Sequence, residues 1–145
     1  MAITTNAICN SFKKELLEGT HNFKASGGNS FKLSLYTSSA TLGKSTTSFT
    51  SDNQVSNTGQ YASGGSALTS GGTSLSTDTA LVDYADLSFT GVTLTARGAL
   101  IYNDTQTGDP AVCVLNFGGD KTATNGTFTV QFPAFSSSAA IIRIA

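Results

Sequence analysis

The stretch Leu94–Phe117, LTARGALIYNDTQTGDPAVCVLNF, constrains the fold more than any other part of the chain. Its arms, ARGALIY and AVCVLNF, are short and rich in β-favouring apolar residues, and between them stands NDTQTGDP, a cluster of turn formers. That pattern predicts a hairpin. Ala99, Leu100, Ile101 and Tyr102 on one arm, and Val112, Cys113, Val114 and Leu115 on the other, are apolar on successive residues, so neither arm alternates like a half-exposed strand. Both are expected to be central strands of a sheet covered on each face.

A chain of 145 residues is long enough to bury one sizeable core without disulfides or metals. Charged residues make up 12%, the net charge is -1, and Ser and Thr together supply more than a quarter of the residues. The expected surface is neutral and hydroxyl-rich. The eight Lys and Arg are scattered, with no basic face of the kind that phosphate backbones demand, so nucleic acid is not an expected partner. No run of about twenty apolar residues suggests a membrane span. Cys9 and Cys113 each stand among apolar neighbours and no signal peptide is evident, so two buried free thiols in a soluble protein made in the cytoplasm are expected. The acceptor triplets at Asn103 and Asn125 are then idle.

Along the chain, residues 1–23 read as an amino-terminal arm and helix, and residues 24–145 as a single β-sandwich domain with a Ser/Thr/Gly-rich loop region at 37–79. In the arm, Asn6 is placed to cap a helix carrying Ile8, Cys9, Phe12, Leu16 and Leu17 on one stripe, with Gly19 to end it. Phe31–Tyr36 alternates, with Phe31, Leu33 and Leu35 on one face and Lys32 and Ser34 on the other. The tract at 37–79 carries single apolar residues at regular intervals, which predicts short edge strands and long ordered loops. Ala80–Phe89 and Val92–Ala96 read as strands, and the Arg97-Gly98 step is a candidate bulge. Thr127–Phe132 is expected to point Phe128, Val130 and Phe132 inward before Pro133 stops it, and Ala139–Ile144 reads as a closing strand. Seven to nine short strands with one helix predict a mainly β chain, a β-sandwich or jelly-roll-like domain.

Catalytic chemistry finds little to use. His21 is the sole histidine, and its place after Gly19 predicts a cap or surface residue. Gly43-Lys44-Ser45-Thr46 matches the end of a phosphate-binding loop, but Ser38 stands where the first glycine is required. Asp83 and Asp86 flank a strand, while Asp104, Asp109 and Asp120 fall in expected turns, without the spacing of a calcium loop. No cofactor, metal or catalytic residue is expected.

Several segments taken together resemble a family of small structural proteins of tailed bacteriophages. They are ICNSFKKELLEGTHNF, KLSLYTSSATLG, VSNTGQYASGG, ARGALIYN, VLNFGGDKTATNGTFTVQFP and the closing AIIRIA, in that order over nearly the whole chain. The resemblance implies a virion part rather than an enzyme. It points to a capsid decoration (cement) protein, often a trimer, on the outer surface of a shell of major capsid protein and assembled in the host cytoplasm. Under that reading the apolar stripe of the arm, Ile8, Phe12, Leu16 and Leu17, is the expected contact with another subunit or the capsid; the competing reading is that it covers one end of the sandwich. The alternative function is a tail- or fibre-associated adhesion module, in which Tyr36, Tyr61 and Tyr84 would be exposed to line a carbohydrate site; the competing reading of these tyrosines, and the favoured one, is half-buried strand residues.

Overall fold

The computed structural model describes residues 3–145. Strand β1 (Ala7–Ile8) leads into the helix α1 (Asn10–Leu17), followed by β2 (Phe31–Tyr36), β3 (Ser66–Ala67), β4 (Ser70–Ser76) and β5 (Thr79–Tyr84). The two longest strands, β6 (Leu87–Asn103) and β7 (Ala111–Val130), come next, and β8 (Ile142–Ile144) closes the chain. Pairing is antiparallel throughout, in a five-stranded sheet ordered β1-β7-β6-β2-β3 and a three-stranded sheet ordered β4-β5-β8. The chain is mainly β, with two sheets and one short helix, as a β-sandwich requires.

The expected hairpin is present at the centre of the larger sheet and is much longer than its apolar arms. Val92–Ala96 leads into the hairpin as expected, as part of β6, while the strand expected at Thr127–Phe132 is no separate element but the end of β7, which stops at Val130; the two strands pair from Leu87↔Val130 to Tyr102↔Ala111. Between Ala96↔Lys121 and Gly98↔Asn116 one residue of β6, Arg97, faces four of β7, so the candidate bulge is real and most of its excess lies on the opposite strand. Asp120 belongs to this excursion in β7, not to a turn, and its carboxylate accepts a 2.8 Å hydrogen bond from Arg97 Nε. At Gly98 a side chain would meet Leu115 O at 2.4 Å and Ile3 Cδ1 at 2.8 Å, so glycine lets the amino-terminal arm lie directly on the sheet.

Both faces of the central strands are covered. Tyr84 packs against Phe31 and Phe132 at 6.2 and 5.9 Å between ring centroids, which sets the three-stranded sheet over one face. The loop region covers the other. Tyr61 Oη accepts from Leu35 N at 2.8 Å beside Ser34 Oγ, Tyr36 Oη donates to Thr50 O, Tyr102 Oη donates to Gly64 O, and the Phe49 ring lies 4.7 Å from that of Tyr102. Backbone bonds from Val55 N to Leu35 O and from Thr37 N to Asn53 O occupy the edge of β2 beyond β3. The Ser/Thr/Gly tract is ordered because it satisfies that edge. Ser34 is consequently buried, contrary to the expected alternation of β2, while Lys32 is half-buried.

Three further expectations are corrected. Asn6 does not cap the helix: Ala7 and Ile8 pair with Val114 and Cys113, Asn6 Oδ1 accepts from Asn116 N, and α1 begins at Asn10 with Cys9 at its amino-terminal cap. The open edge of β7 offers backbone bonds that a first helical turn would forgo. Ala80–Phe89 breaks at Ala85-Asp86, where Asp86 Oδ1 accepts from Phe132 N, and the last strand is only Ile142–Ile144. Gly19 does end the helix: it has φ +76°, and the bonds Gly19 N to Leu16 O and Thr20 N to Glu15 O close a Schellman motif. Ile3, Cys9, Phe12 and Phe23 belong to the same buried cluster as the strands, so arm and body share one core.

Candidate functional site

The apolar stripe expected to make contacts is divided by the fold. Phe12 is buried, its ring 4.9 Å from His21 and 5.9 Å from Phe23; Ile8 is held in β1, and Leu16 is half-buried against the core. Leu17 alone is presented to solvent, at 91% exposure, because it follows Leu16 by about 100° around the helix and so faces away from the body. Within this stripe Phe12 and Leu16 cover one end of the sandwich, and Leu17 is the one fully exposed side chain.

The three tyrosines that the adhesion reading needs exposed are buried, more deeply than the half-buried strand positions of the competing reading: Tyr36 at 0%, Tyr61 at 1% and Tyr84 at 3%. Burial raises all three hydroxyl pKa values, that of Tyr36 to about 12, and two of the hydroxyls are spent on the edge of β2 and the tract over it. They cannot line a carbohydrate site. Tyr36 and Tyr61 are enclosed where the long ordered tract meets β2, and Tyr84 where the smaller sheet meets Phe31 and Phe132.

His21 is also corrected from a surface position to the interior, its side chain wholly inaccessible. Nδ1 lies 3.1 Å from Asn103 Nδ2 and Nε2 lies 3.5 Å from Glu15 Oε2. Burial lowers its pKa, with the Glu15 charge opposing. Cys9 and Cys113 are free and buried; burial pushes the thiols up to about 11 and about 12, with smaller contributions from Glu15 and from Cys9 respectively. Among the described residues no three His, Cys, Asp or Glu side chains stand together as a metal site, and no helix is long and apolar enough to cross a membrane.

What the fold does build is a trough along β7. Beyond Val114 no strand among the described residues pairs with the outer edge of β7, and the chain returning through Phe132, Pro133 and Ile141 forms the opposite wall. A groove of about 520 Å3 results, with Leu115, Phe117, Phe128 and Phe132 along its apolar part and Asn6, Lys121, Thr122 and Gln131 among its polar groups. It continues into a second hollow of about 260 Å3 beside Ile8 and Ala140. The Gly118-Gly119 excursion makes it possible, since it carries the Phe117 ring to within 6.1 Å of Phe128, eleven residues on in the same strand. Segments taken singly do not reveal it. The one available signal is a glycine pair between two phenylalanine-bearing strands. Elsewhere Leu75 and Ile144, at 71% and 53% exposure, flank Ala80 in one row across the smaller sheet.

No protein-family model matches the chain, and neither a curated protein nor a solved structure matches it. The residues themselves therefore carry the functional reading.

Proposed function

We propose that this protein is a bacteriophage virion structural protein, a capsid decoration (cement) protein that binds the outer surface of a shell of major capsid protein as a homo-oligomer, a trimer, and stabilises it through fitted surfaces. The segments that resemble phage structural proteins motivate the reading. The observation that carries it furthest is the trough along β7, where an open strand edge lies beside an apolar groove with polar groups at its rim. An extended segment of a shell subunit would find backbone partners on that edge and pockets for alternate side chains beside it. Leu17 offers a second, smaller contact. Many symmetric copies make modest single contacts sufficient, because an oligomer engages several sites at high effective concentration.

The test is occupancy on undecorated heads with surface variants that leave the core intact. Removing residues 1–17 would strip Ile3, Cys9 and Phe12 from the core, so point changes are cleaner. Gln131→Arg in the groove and Leu17→Glu on α1 are expected to fold normally and to lower occupancy at limiting protein, the groove change by about tenfold or more, equivalent to ~1.4 kcal/mol. Normal occupancy of both variants overturns the assignment of surfaces. Failure of the wild-type protein to bind heads, together with a copy number matching tail symmetry, overturns the capsid reading in favour of the tail one.

A further inference from the structure

Asn103, at the end of β6, is wholly buried, and every hydrogen-bonding position of its amide is used. Oδ1 accepts from Thr105 N at 3.0 Å and from Gln106 N at 3.4 Å, and Nδ2 donates to Asn29 Oδ1 at 3.0 Å. Asn29 Oδ1 is itself fixed as an acceptor by Asn22 N at 2.8 Å. The amide therefore cannot be turned round, and its remaining N–H points at His21 Nδ1, 3.1 Å away. This geometry dictates the histidine's state: Nδ1 must be a bare acceptor, and the single ring proton sits on Nε2, toward Glu15.

A second proton has nowhere to go. It would put an N–H on Nδ1 facing the N–H of Asn103, inside a pocket walled by the rings of Phe12, Phe23 and Phe31. We propose that His21 is an acid-sensitive latch: neutral, it ties α1, the 22–29 turn and the loop after β6 together, and its protonation breaks the Asn103 bond and frees α1 from the body. The charges around it are few. From α1, Glu15 faces Nε2, while Lys14 and Glu18 pair with each other on the exposed side; beyond Asn103, Asp104 pairs with Lys32 of β2 at 3.4 Å. Glu15 attracts an imidazolium from 3.5 Å on the Nε2 side only, and it leaves Nδ1 against a donor. Burial outweighs it and holds the imidazole below its ordinary range. The folded state thus binds fewer protons than the unfolded chain, whose histidine titrates near ~6.5. Stability from this source is complete above that pH and falls as the pH drops through it toward the folded value. The latch is independent of where the protein docks.

Two measurements on the full chain decide the matter. Nitrogen NMR of the imidazole is expected to show the Nε2–H tautomer at pH 8 and titration below the unfolded value; an Nδ1–H tautomer, or titration at or above that value, overturns the proposal. Hydrogen exchange, corrected for intrinsic rates, is expected to accelerate about tenfold or more in α1 between pH 7 and pH 5, while amides of Leu100 and Val114 hold. Equal acceleration at both places, or none, also overturns it. His21→Gln, which offers Asn103 an acceptor that does not titrate, is expected to abolish the pH dependence of α1 exchange. If that variant does not fold, the wild-type tautomer and exchange remain decisive.

Discussion

The long hairpin is two different structures made from the same pair of strands. From Gly98 to Asn103 and from Ala111 to Val114 every residue is buried, because the smaller sheet lies on one face and the Ser/Thr/Gly tract on the other. From Leu87 to Ala96 and from Lys121 to Val130 burial follows one face only. There Phe89, Val92, Leu94, Ala96, Ala123, Phe128 and Val130 point in, while Ser88, Thr90, Thr93, Thr95, Thr122, Thr124 and Thr129 point out. On that outer face hydroxyls meet across the strands, Ser88 with Thr129 and Thr95 with Thr122, each at 2.9 Å. The Arg97–Asp120 pair and the Phe117-Gly118-Gly119 excursion mark the boundary. Strand geometry is common to both halves. What differs is how many layers cover them, and that decides whether a side chain can be lost cheaply.

The largest effect is expected in the covered half. Leu100→Ala removes a fully buried side chain from between two layers and should cost about 3 to 5 kcal/mol by urea denaturation. A loss under about 1 kcal/mol would mean that the tract is not a tight cover. Asn103→Ala should cost about 2 kcal/mol or more, since it orphans the donors of Thr105 and Gln106 and the acceptor of His21 together. Gly98→Ala is expected to cost about 1 to 3 kcal/mol, because the new methyl group meets Leu115 O and Ile3, and to raise exchange in the arm. In the half-exposed region Thr95→Ala should cost under about 1 kcal/mol, and Arg97→Ala a similar or smaller amount that fades with added salt. An outer-face change as costly as Leu100→Ala would erase the distinction between the halves and would show that something covers that face in solution.

The thiols sharpen the same contrast chemically. At pH 8 both cysteines remain protonated and enclosed, so alkylation of the native protein should be slow and should follow local opening. Cys9, beside the helix, is expected to react before Cys113, which sits in the covered half. The reverse order would place the weakest packing inside the sheet.

Much of the fold is written locally. Consecutive apolar residues at 99–102 and 112–115 mark the doubly covered half, Gly19 marks the helix end, and the Arg97-Gly98 step marks a bulge. The corrected positions share one cause. The immediate neighbours of His21 and Ser34 suggest exposure, yet each is buried by residues distant in the chain, as Tyr61 covers Ser34 across 27 positions and Asn103 meets His21 across 82. Asn6 has the look of a cap because nothing nearby reveals that β7 has a free edge to offer it, 110 residues away. The trough is absent from any single segment for the same reason: its walls are strand β7, the excursion that folds Phe117 back, and the return at Ile141.

Periodicity and turn chemistry act over a few residues. They suffice to make this chain mainly β and to centre it on one apolar hairpin. They do not reach far enough to say which polar side chains go inside, that a lone histidine is held in one tautomer, or that an open edge meets an aromatic groove. Those outcomes arise when distant layers come to rest on particular faces, because burial is a property of the assembled layers and not of any segment within them.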